Sequence, residues 1–281
     1  MSNPRSDLAR ARDETGEVVA VEALEGGMVE VTVRLPHLAT TARPGEFAQL
    51  RAWSGIDPLL RRPFSVAWTS GELCSFVLEA VGAGTRLLVA LRSGDRLQAL
   101  GPLGNGFHLA PAPARAVIVS GGLGCAPFPL LVRELRRGGC ADVTVLSGAA
   151  TASRLYPAER FRRGDEAVRV VEATDDGSRG RRGLVTELVA GTCDEATAVY
   201  ACGPNPMLAA LAATLRDLAP PPRRAEVSLE APMGCGFGTC LGCALPAFGG
   251  EWFLCCRQGP VREVSDVDWP GLLALPPAHV A

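Results

Sequence analysis

Five of the ten cysteines in this 281-residue chain fall within 22 consecutive positions, and no other feature restricts its fold and chemistry as much. Cys235, Cys240 and Cys243 share one glycine-rich stretch, with Cys255 and Cys256 following as an adjacent pair. Thiols gathered this way serve either a disulfide framework or a metal or redox centre. Apolar residues make up 47% of the chain, enough for a full-sized core, and residues 1–14 are polar and Arg-rich, without the apolar stretch of a secretory signal. The chain therefore reads as a cytoplasmic protein with a frayed tail over 1–15, and the cysteines as a metal or redox site.

Spacing narrows the choice. The order C-x4-C-x2-C with a fourth cysteine further on matches plant-type [2Fe–2S] ferredoxins. Three thiolates on one tight loop converge on two irons, and a fourth arrives from elsewhere. Glycines 234, 236, 238 and 242 let the backbone wrap closely and aim amides at the cluster sulfurs. A structural zinc knot is the competing reading, but zinc sites favour paired C-x2-C units, and the first pair here is four residues apart. Spacing leaves the fourth ligand open between Cys255 and Cys256.

Upstream, short β-rich runs over 18–23, 29–35, 46–53, 64–68, 73–80 and 96–100 are punctuated by Gly and Pro and interrupted by one helix over 85–91. They predict an antiparallel barrel of about six strands over 16–110. After Pro111 the pattern becomes strand alternating with helix: strands over 115–120, 143–146, 168–171, 198–201 and 225–229. Phe128, Leu131, Val132 and Leu135 mark one amphipathic helix, and Met207, Leu208, Leu211 and Leu215 a second. That alternation predicts a parallel-sheet α/β domain over 111–230, with a small cysteine-rich segment over 231–281. The fold class is thus β plus α/β with a [2Fe–2S] appendage.

Two groups of residues suit nucleotide cofactors. Arg61-Arg62-Pro63-Phe64-Ser65 lies on a barrel strand, and R-x-aromatic-Ser is how ferredoxin-reductase-like flavoproteins hold FAD: an arginine fork for the pyrophosphate and an aromatic against the flavin. Gly82-Ala83-Gly84-Thr85 opens the barrel helix, where amides suit a phosphate, and Gly101-Pro102-Leu103-Gly104-Asn105-Gly106-Phe107 closes the barrel. Arg62, Pro63, Phe64, Ser65, Gly82, Gly84 and Thr85 are the expected FAD contacts. In the α/β domain, Gly121-Gly122-Leu123-Gly124 follows the first strand and Cys202-Gly203-Pro204-Asn205-Pro206-Met207 a later one. Gly121, Gly122, Gly124, Cys202, Gly203 and Pro204 are the expected dinucleotide contacts. Thr174-Asp175-Asp176-Gly177-Ser178, after a parallel strand, permits a further contact.

Other chemistries find little support. All 28 basic residues are arginine, which excludes a Schiff-base or P-loop lysine, and a net charge of −2 gives no bulk attraction to nucleic acid. The three histidines are scattered, no apolar run reaches membrane-spanning length, and no acid–base residue stands out as catalytic. Cysteines 74, 125, 140 and 193 read as small buried hydrophobes.

Taken in order, the barrel, RRPFS, GAGT, GPLGNGF, GGLGCAP, TDDGS, CGPNPM and the cysteine loop resemble the electron-transfer subunit of NAD-dependent dihydroorotate dehydrogenase over roughly 16–269. That resemblance favours Cys235, Cys240, Cys243 and Cys256 as cluster ligands. It implies a separate FMN subunit that oxidises dihydroorotate, with electrons passing through [2Fe–2S] to FAD and then to NAD+ in pyrimidine biosynthesis, in a heterotetramer of two of each chain. A related reductase subunit, of the sulfide dehydrogenase or bifurcating ferredoxin:NADP type, is the alternative. Three departures stand out: Phe64 in place of an aliphatic residue, Gln258 in place of an acid, and Cys125 without a role. Residues 147–154 lack the Arg–Ser grip for a 2′-phosphate, with Arg154 alone there, so NAD(H) is expected over NADP(H). Met233, Phe237, Leu241 and Trp252 are the expected apolar rim of the cluster loop, facing the partner.

Overall fold

A computed structural model describes residues 8–276. The N-terminal part holds strands β1 (Arg12–Ala23), β2 (Met28–Arg34), β3 (Phe47–Arg51), β4 (Arg62–Ser65), β5 (Trp68–Ser70), β6 (Leu73–Glu79) and β7 (Arg96–Leu103). They form one antiparallel sheet in the order β4-β3-β7-β1-β2-β6-β5. Val31, Val33, Ala48, Leu50, Phe76, Leu78, Leu97 and Ala99 alternate along their strands and fill the interior.

The sheet has seven strands where about six were expected, because the run over 64–68 breaks at a corner. There Val66 N donates to Glu46 O at 3.1 Å and Ala67 N to Ser75 O at 2.9 Å. Consecutive amides thus tie opposite ends of the sheet together and curl it. Helix α2 (Ala83–Val89) begins two residues before the expected start. Helix α1 (Pro36–Thr41) was not anticipated. Its first amides, at His37 and Leu38, are capped by the Glu14 carboxylate at 2.9 Å, a partner more than twenty residues away that leaves no local signal.

The expected tail over 1–15 is corrected by the same element. Arg12 to Thr15 pair with Gly101 to Gln98 of β7, because β7 would otherwise expose that edge. Residues 1–7 of that tail, like His279, lie outside the described residues.

The second part holds β8 (Arg115–Gly121), helix α3 (Phe128–Arg137), β9 (Asp142–Ala149), helix α4 (Ala158–Arg162), β10 (Arg169–Thr174), β11 (Arg181–Arg182), β12 (Thr197–Cys202), helix α5 (Asn205–Arg216) and β13 (Arg224–Ser228). With β16 (Val261–Glu263) from the end of the chain, the sheet order is β11-β10-β9-β8-β12-β13-β16, parallel from β11 to β13. The chain winds outward from β8 to β11, then restarts on the other side of β8 with β12. The carboxyl end of β8 is therefore a topological switch point, where such sheets open a crevice for ligands.

The last part holds a hairpin of β14 (Ala244–Pro246) and β15 (Trp252–Leu254), helix α6 (Cys255–Gln258), strand β16 (Val261–Glu263) and helix α7 (Trp269–Ala274). β16 returns to pair antiparallel with β13, Ser228 opposite Val261, and covers an edge that would otherwise be open. Phe47 and Leu103 of the barrel, Val199 and Leu208 of the α/β part, and Cys243, Cys255 and Cys256 share one core. The expected boundaries at 110/111 and 230/231 fall after β7 and after β13, yet apolar packing runs across both.

Charge joins the first two parts as well. Buried Glu30 on β2 takes Arg163 at 2.6 Å and Arg160 at 3.1 Å. Arg133 of α3 and Arg163 lie over the ring of Trp68, at 4.6 Å and 5.2 Å from its centre.

Candidate cofactor and cluster site

β4 and the start of α2 meet through Arg62 and Gly84. A Cβ on Gly84 would stand 2.9 Å from Arg62 Nε, so only glycine lets the guanidinium lie flat on this turn. Gly82, by contrast, faces open space. Thr85 Oγ1 accepts from Val81 N at 2.9 Å and Gly82 N at 2.8 Å, which makes Thr85 the organiser of the turn. Arg61 is spent elsewhere, in a two-pronged bridge to Asp13 at 2.9 and 2.8 Å, leaving Arg62 as the cation over the turn. In the ladder Arg62 and Phe64 stand opposite Leu50 and Ala48, whereas Pro63 and Ser65 stand opposite Gln49 and Phe47. Arg62 and Phe64 thus share one face of the strand, and Pro63 and Ser65 the other. A guanidinium on a bare glycine turn beside an aromatic fits a dinucleotide flavin such as FAD.

The two glycine turns of the α/β part come together at the ends of neighbouring strands β8 and β12. A Cβ on Gly124 would stand 2.3 Å from Cys202 O and 2.6 Å from Gly203 N, and one on Gly121 would stand 2.4 Å from Met207 Sδ. Gly122, at φ +54, faces open space. Asn205 Oδ1, on the first turn of α5, is buried without a partner, an acceptor that a ligand amide would satisfy. The expected contacts Gly121, Gly122, Gly124, Cys202, Gly203 and Pro204 are therefore brought to one locus at the switch point. Burial pushes the Cys202 thiol up to about 12, so it stays protonated at neutral pH. Cys125 is buried as well, and burial drives its thiol well above the usual range. In the TDDGS turn, Ser178 Oγ takes Ala152 N at 2.7 Å, tying the loops after β9 and β10 together.

The cysteine loop presents two pairs of thiols. Cys243 and Cys256 are buried with their sulfurs 3.2 Å apart. Cys255 turns the other way and donates to Leu229 O at 3.6 Å. Cys240 is exposed and Cys235 half-buried. Partial burial raises the Cys235 thiol, but the amides of Cys240, Phe237 and Thr239 outweigh it and bring it down to about 7. The hydrogen bond from Cys256 brings Cys243 down to about 6, while the same bond and burial hold the proton on Cys256. Two thiol pairs, each with one acidified member, fit two irons with two thiolates each. Among the described residues no three His, Cys, Asp or Glu side chains close on one point to hold a single metal ion.

Sequence reasoning left the roles of three residues at this site unassigned. Asn105 staples the cluster segment: its amide donates to Gly259 O at 2.7 Å, and its side chain exchanges bonds with Val261 N and O at 3.2 and 3.1 Å. Gln258, the departure from the acidic residue, accepts from Leu254 N at 2.8 Å through Oε1, so its carbonyl does what a carboxylate would. Gln49 is wholly buried with both side-chain polar atoms unpaired, an arrangement that costs about 1–3 kcal/mol per group. The pairing of glutamine with the loop could be found only from the fold. His108 binds buried Glu226 through its amide at 2.9 Å, and His37 Nε2 lies 2.6 Å from Arg10 O, both structural roles.

Large apolar side chains are left exposed on the cysteine segment, Phe237 (39% exposed), Leu241 (62%), Phe248 and Trp252 (60%), and Leu60 of the loop before β4 reaches to 3.7 Å from where a Cβ on Gly234 would stand. Met233, expected among them, is half-buried against the shared core. Leu241 is also held in the left-handed region at φ 59, which is strained for leucine. No helix among the described residues is long and apolar enough to cross a membrane.

Known proteins share both the sequence and the geometry. Residues 230–268 match the family model for the iron–sulfur cluster binding domain of dihydroorotate dehydrogenase B, and residues 118–213 match the oxidoreductase NAD-binding domain. The chain is 39% identical over 231 residues to the dihydroorotate dehydrogenase B (NAD(+)) electron transfer subunit of Geobacillus kaustophilus, covering 80% of this chain and 86% of that one. Against the subunit of the same name from Geobacillus thermodenitrificans it is 37% identical over 256 residues, covering 89% and 96%. Among solved structures, the NADH-dependent reduced ferredoxin-NADP oxidoreductase studied for flavin-based electron bifurcation superposes with a TM-score of 0.80 at 26% identity, covering 92% of this chain and 91% of that one. A ferredoxin NADP+ reductase from Neisseria gonorrhoeae with bound FAD and NADP shares the fold at TM-score 0.62 and 20% identity, over 73% of this chain and 91% of that one.

Proposed function

The chain belongs to the family of dihydroorotate dehydrogenase B electron transfer subunits, and from that premise we propose that it receives electrons from an FMN-containing partner that oxidises dihydroorotate and delivers them to NAD+. It is an oxidoreductase subunit whose cofactors are FAD and a [2Fe–2S] cluster, with NAD as substrate. When bound, these groups supply single-electron steps at the cluster and their conversion to a hydride at the flavin.

The residues of this chain bind and insulate. Arg62 on the glycine turn of Gly82 and Gly84, organised by Thr85, neutralises the FAD pyrophosphate, and Phe64 packs on the flavin with Pro63 and Ser65 beside it. Gly121, Gly122, Gly124, Cys202, Gly203 and Pro204 form the floor on which NAD lies. Cys235, Cys240, Cys243 and Cys256 hold the cluster, and Cys255 seals the core behind them. Phe237, Leu241 and Trp252 form the surface that the catalytic subunit covers, in a cytoplasmic heterotetramer of two of each chain.

One observation carries this reading. The cysteine loop lies on the wall of the flavin strand: Gly236 packs against Gln49, whose ladder partner is Pro63. Electron entry at the exposed Cys240 side and the flavin strand are thereby separated by one loop and one strand.

Co-expression tests it. The chain alone is expected to pass electrons from NADH to artificial acceptors and to leave dihydroorotate untouched. With the FMN subunit it should form a complex having dihydroorotate:NAD+ activity. Dihydroorotate turnover by the isolated chain would overturn the reading, and reduction by sulfide or ferredoxin in place of the FMN subunit would favour the alternative.

A further inference from the structure

Gln49 sits in the middle of β3, fully buried, and neither Oε1 nor Nε2 has a partner. Its strand neighbours Ala48 and Leu50 turn into the barrel core, so Gln49 faces the outer wall beside Pro63 of β4 and Leu100 of β7. The cysteine loop lies directly over it. Gly236, next to Cys235, takes φ +83, and a Cβ there would stand 2.7 Å from Gln49 Cγ, 2.9 Å from Nε2 and 3.0 Å from Leu103 Cδ1. Packing alone would favour an apolar residue at this spot, since Phe47 and Leu103 already make the wall apolar. A buried amide there requires a partner, and the nearest element is the loop that carries Cys235.

We propose that Gln49 Nε2 donates a hydrogen bond to an anionic sulfur of the loaded cluster, the Cys235 thiolate or a bridging sulfide. Gln49 is then a positioning residue that sets the cluster's reduction potential from the flavin-bearing wall. This rests on reading Cys235, Cys240, Cys243 and Cys256 as the [2Fe–2S] ligands. The sign follows from charge. The reduced cluster carries one more negative charge than the oxidised one, so an N–H donor favours the reduced form and raises the potential. Replacing the donor by an apolar group of similar size lowers it, and a carboxylate lowers it further.

The test is an EPR-monitored redox titration of the full chain, carrying FAD and cluster, as wild type, Gln49→Leu and Gln49→Glu. The expected result is a reduced [2Fe–2S] signal in all three, with shifted g-values and a midpoint falling in the order wild type, Leu, Glu, while the flavin midpoint stays in place. A Gln49→Leu protein with the wild-type cluster midpoint and g-values would overturn the proposal. So would a shift confined to the flavin, because the amide would then serve that group. If both variants lose the cluster, pulsed EPR on wild-type and Gln98→Glu/Gln258→Glu protein labelled with 15N at glutamine amides decides: a 15N coupling to the reduced cluster that survives in the double variant, whose one remaining glutamine is Gln49, supports the proposal, and its absence overturns it. A wild-type chain with no [2Fe–2S] signal would instead sink the cluster reading itself, a result distinguishable from all of these.

Discussion

Arg154 Nη1 lies 2.7 Å from Glu79 Oε1 and donates at the same distance to Gly26 O, so the lone guanidinium of the loop after β9 is held by the barrel. It is therefore not available to grip a 2′-phosphate. NADH is expected to show the higher kcat/KM, and Arg154→Ala should change the NADPH-to-NADH ratio by no more than about threefold. Steady-state kinetics with an artificial acceptor measure both, and a preference for NADPH would refute the assignment.

The divergence of Cys255 and Cys256 makes a sharper prediction. Cys256→Ser should abolish the reduced-cluster EPR signal, because its sulfur faces Cys243 at 3.2 Å. Cys255→Ser should retain it and lose about 1 kcal/mol of stability, since a hydroxyl replaces a thiol packed in the core against Leu229 O. The reverse pattern would reassign the fourth ligand.

Anaerobically purified protein is expected to hold one FAD and about two irons per chain. Stoichiometric zinc without iron, or iron near four per chain, would contradict the two-pair arrangement of thiols.

Glu30→Gln removes a buried carboxylate that two arginines face from across the barrel–α/β boundary. Arg160 retains Glu22, but Arg163 loses its carboxylate partner. The expected cost is about 3 kcal/mol, read as a lower urea midpoint of the loaded protein. An unchanged midpoint would show that the clamp contributes nothing.

Phe237→Asp and Leu241→Asp each place a charge among the exposed apolar side chains of the cysteine segment. Each should weaken binding of the FMN subunit by roughly thirtyfold or more, measured by calorimetry, with both cofactors retained. Unchanged affinity would put the partner on another face.

Much of the architecture was legible because its signals are local. Gly121 to Gly124 and Cys202 to Pro204 sit where strand hands over to helix, and periodicity marked both α3 and α5. What escaped depends on partners far away in sequence. α1 is capped by Glu14, the strand over 64–68 is split by bonds to Glu46 and Ser75, and Arg12 to Thr15 became strand only because β7 needed a neighbour. At the site, the cysteine spacing pointed to the cluster, but the order of the last two thiols depends on α6. The burial of Gln49 depends on a loop nearly two hundred residues away.

β16 has a consequence for how such a subunit can be built. Soluble ferredoxins diffuse between reductases and can be exchanged. Here the peptide carrying Cys235 to Cys256 ends as the border strand of the dinucleotide sheet and is pinned by Asn105 to the last barrel strand. A donor module spliced in at residue 231 would have to rebuild that border, and a truncation after Cys256 would strip it. The spacing between electron entry and hydride exit is thus built into the backbone, and the wiring cannot be unplugged without unravelling the sheet.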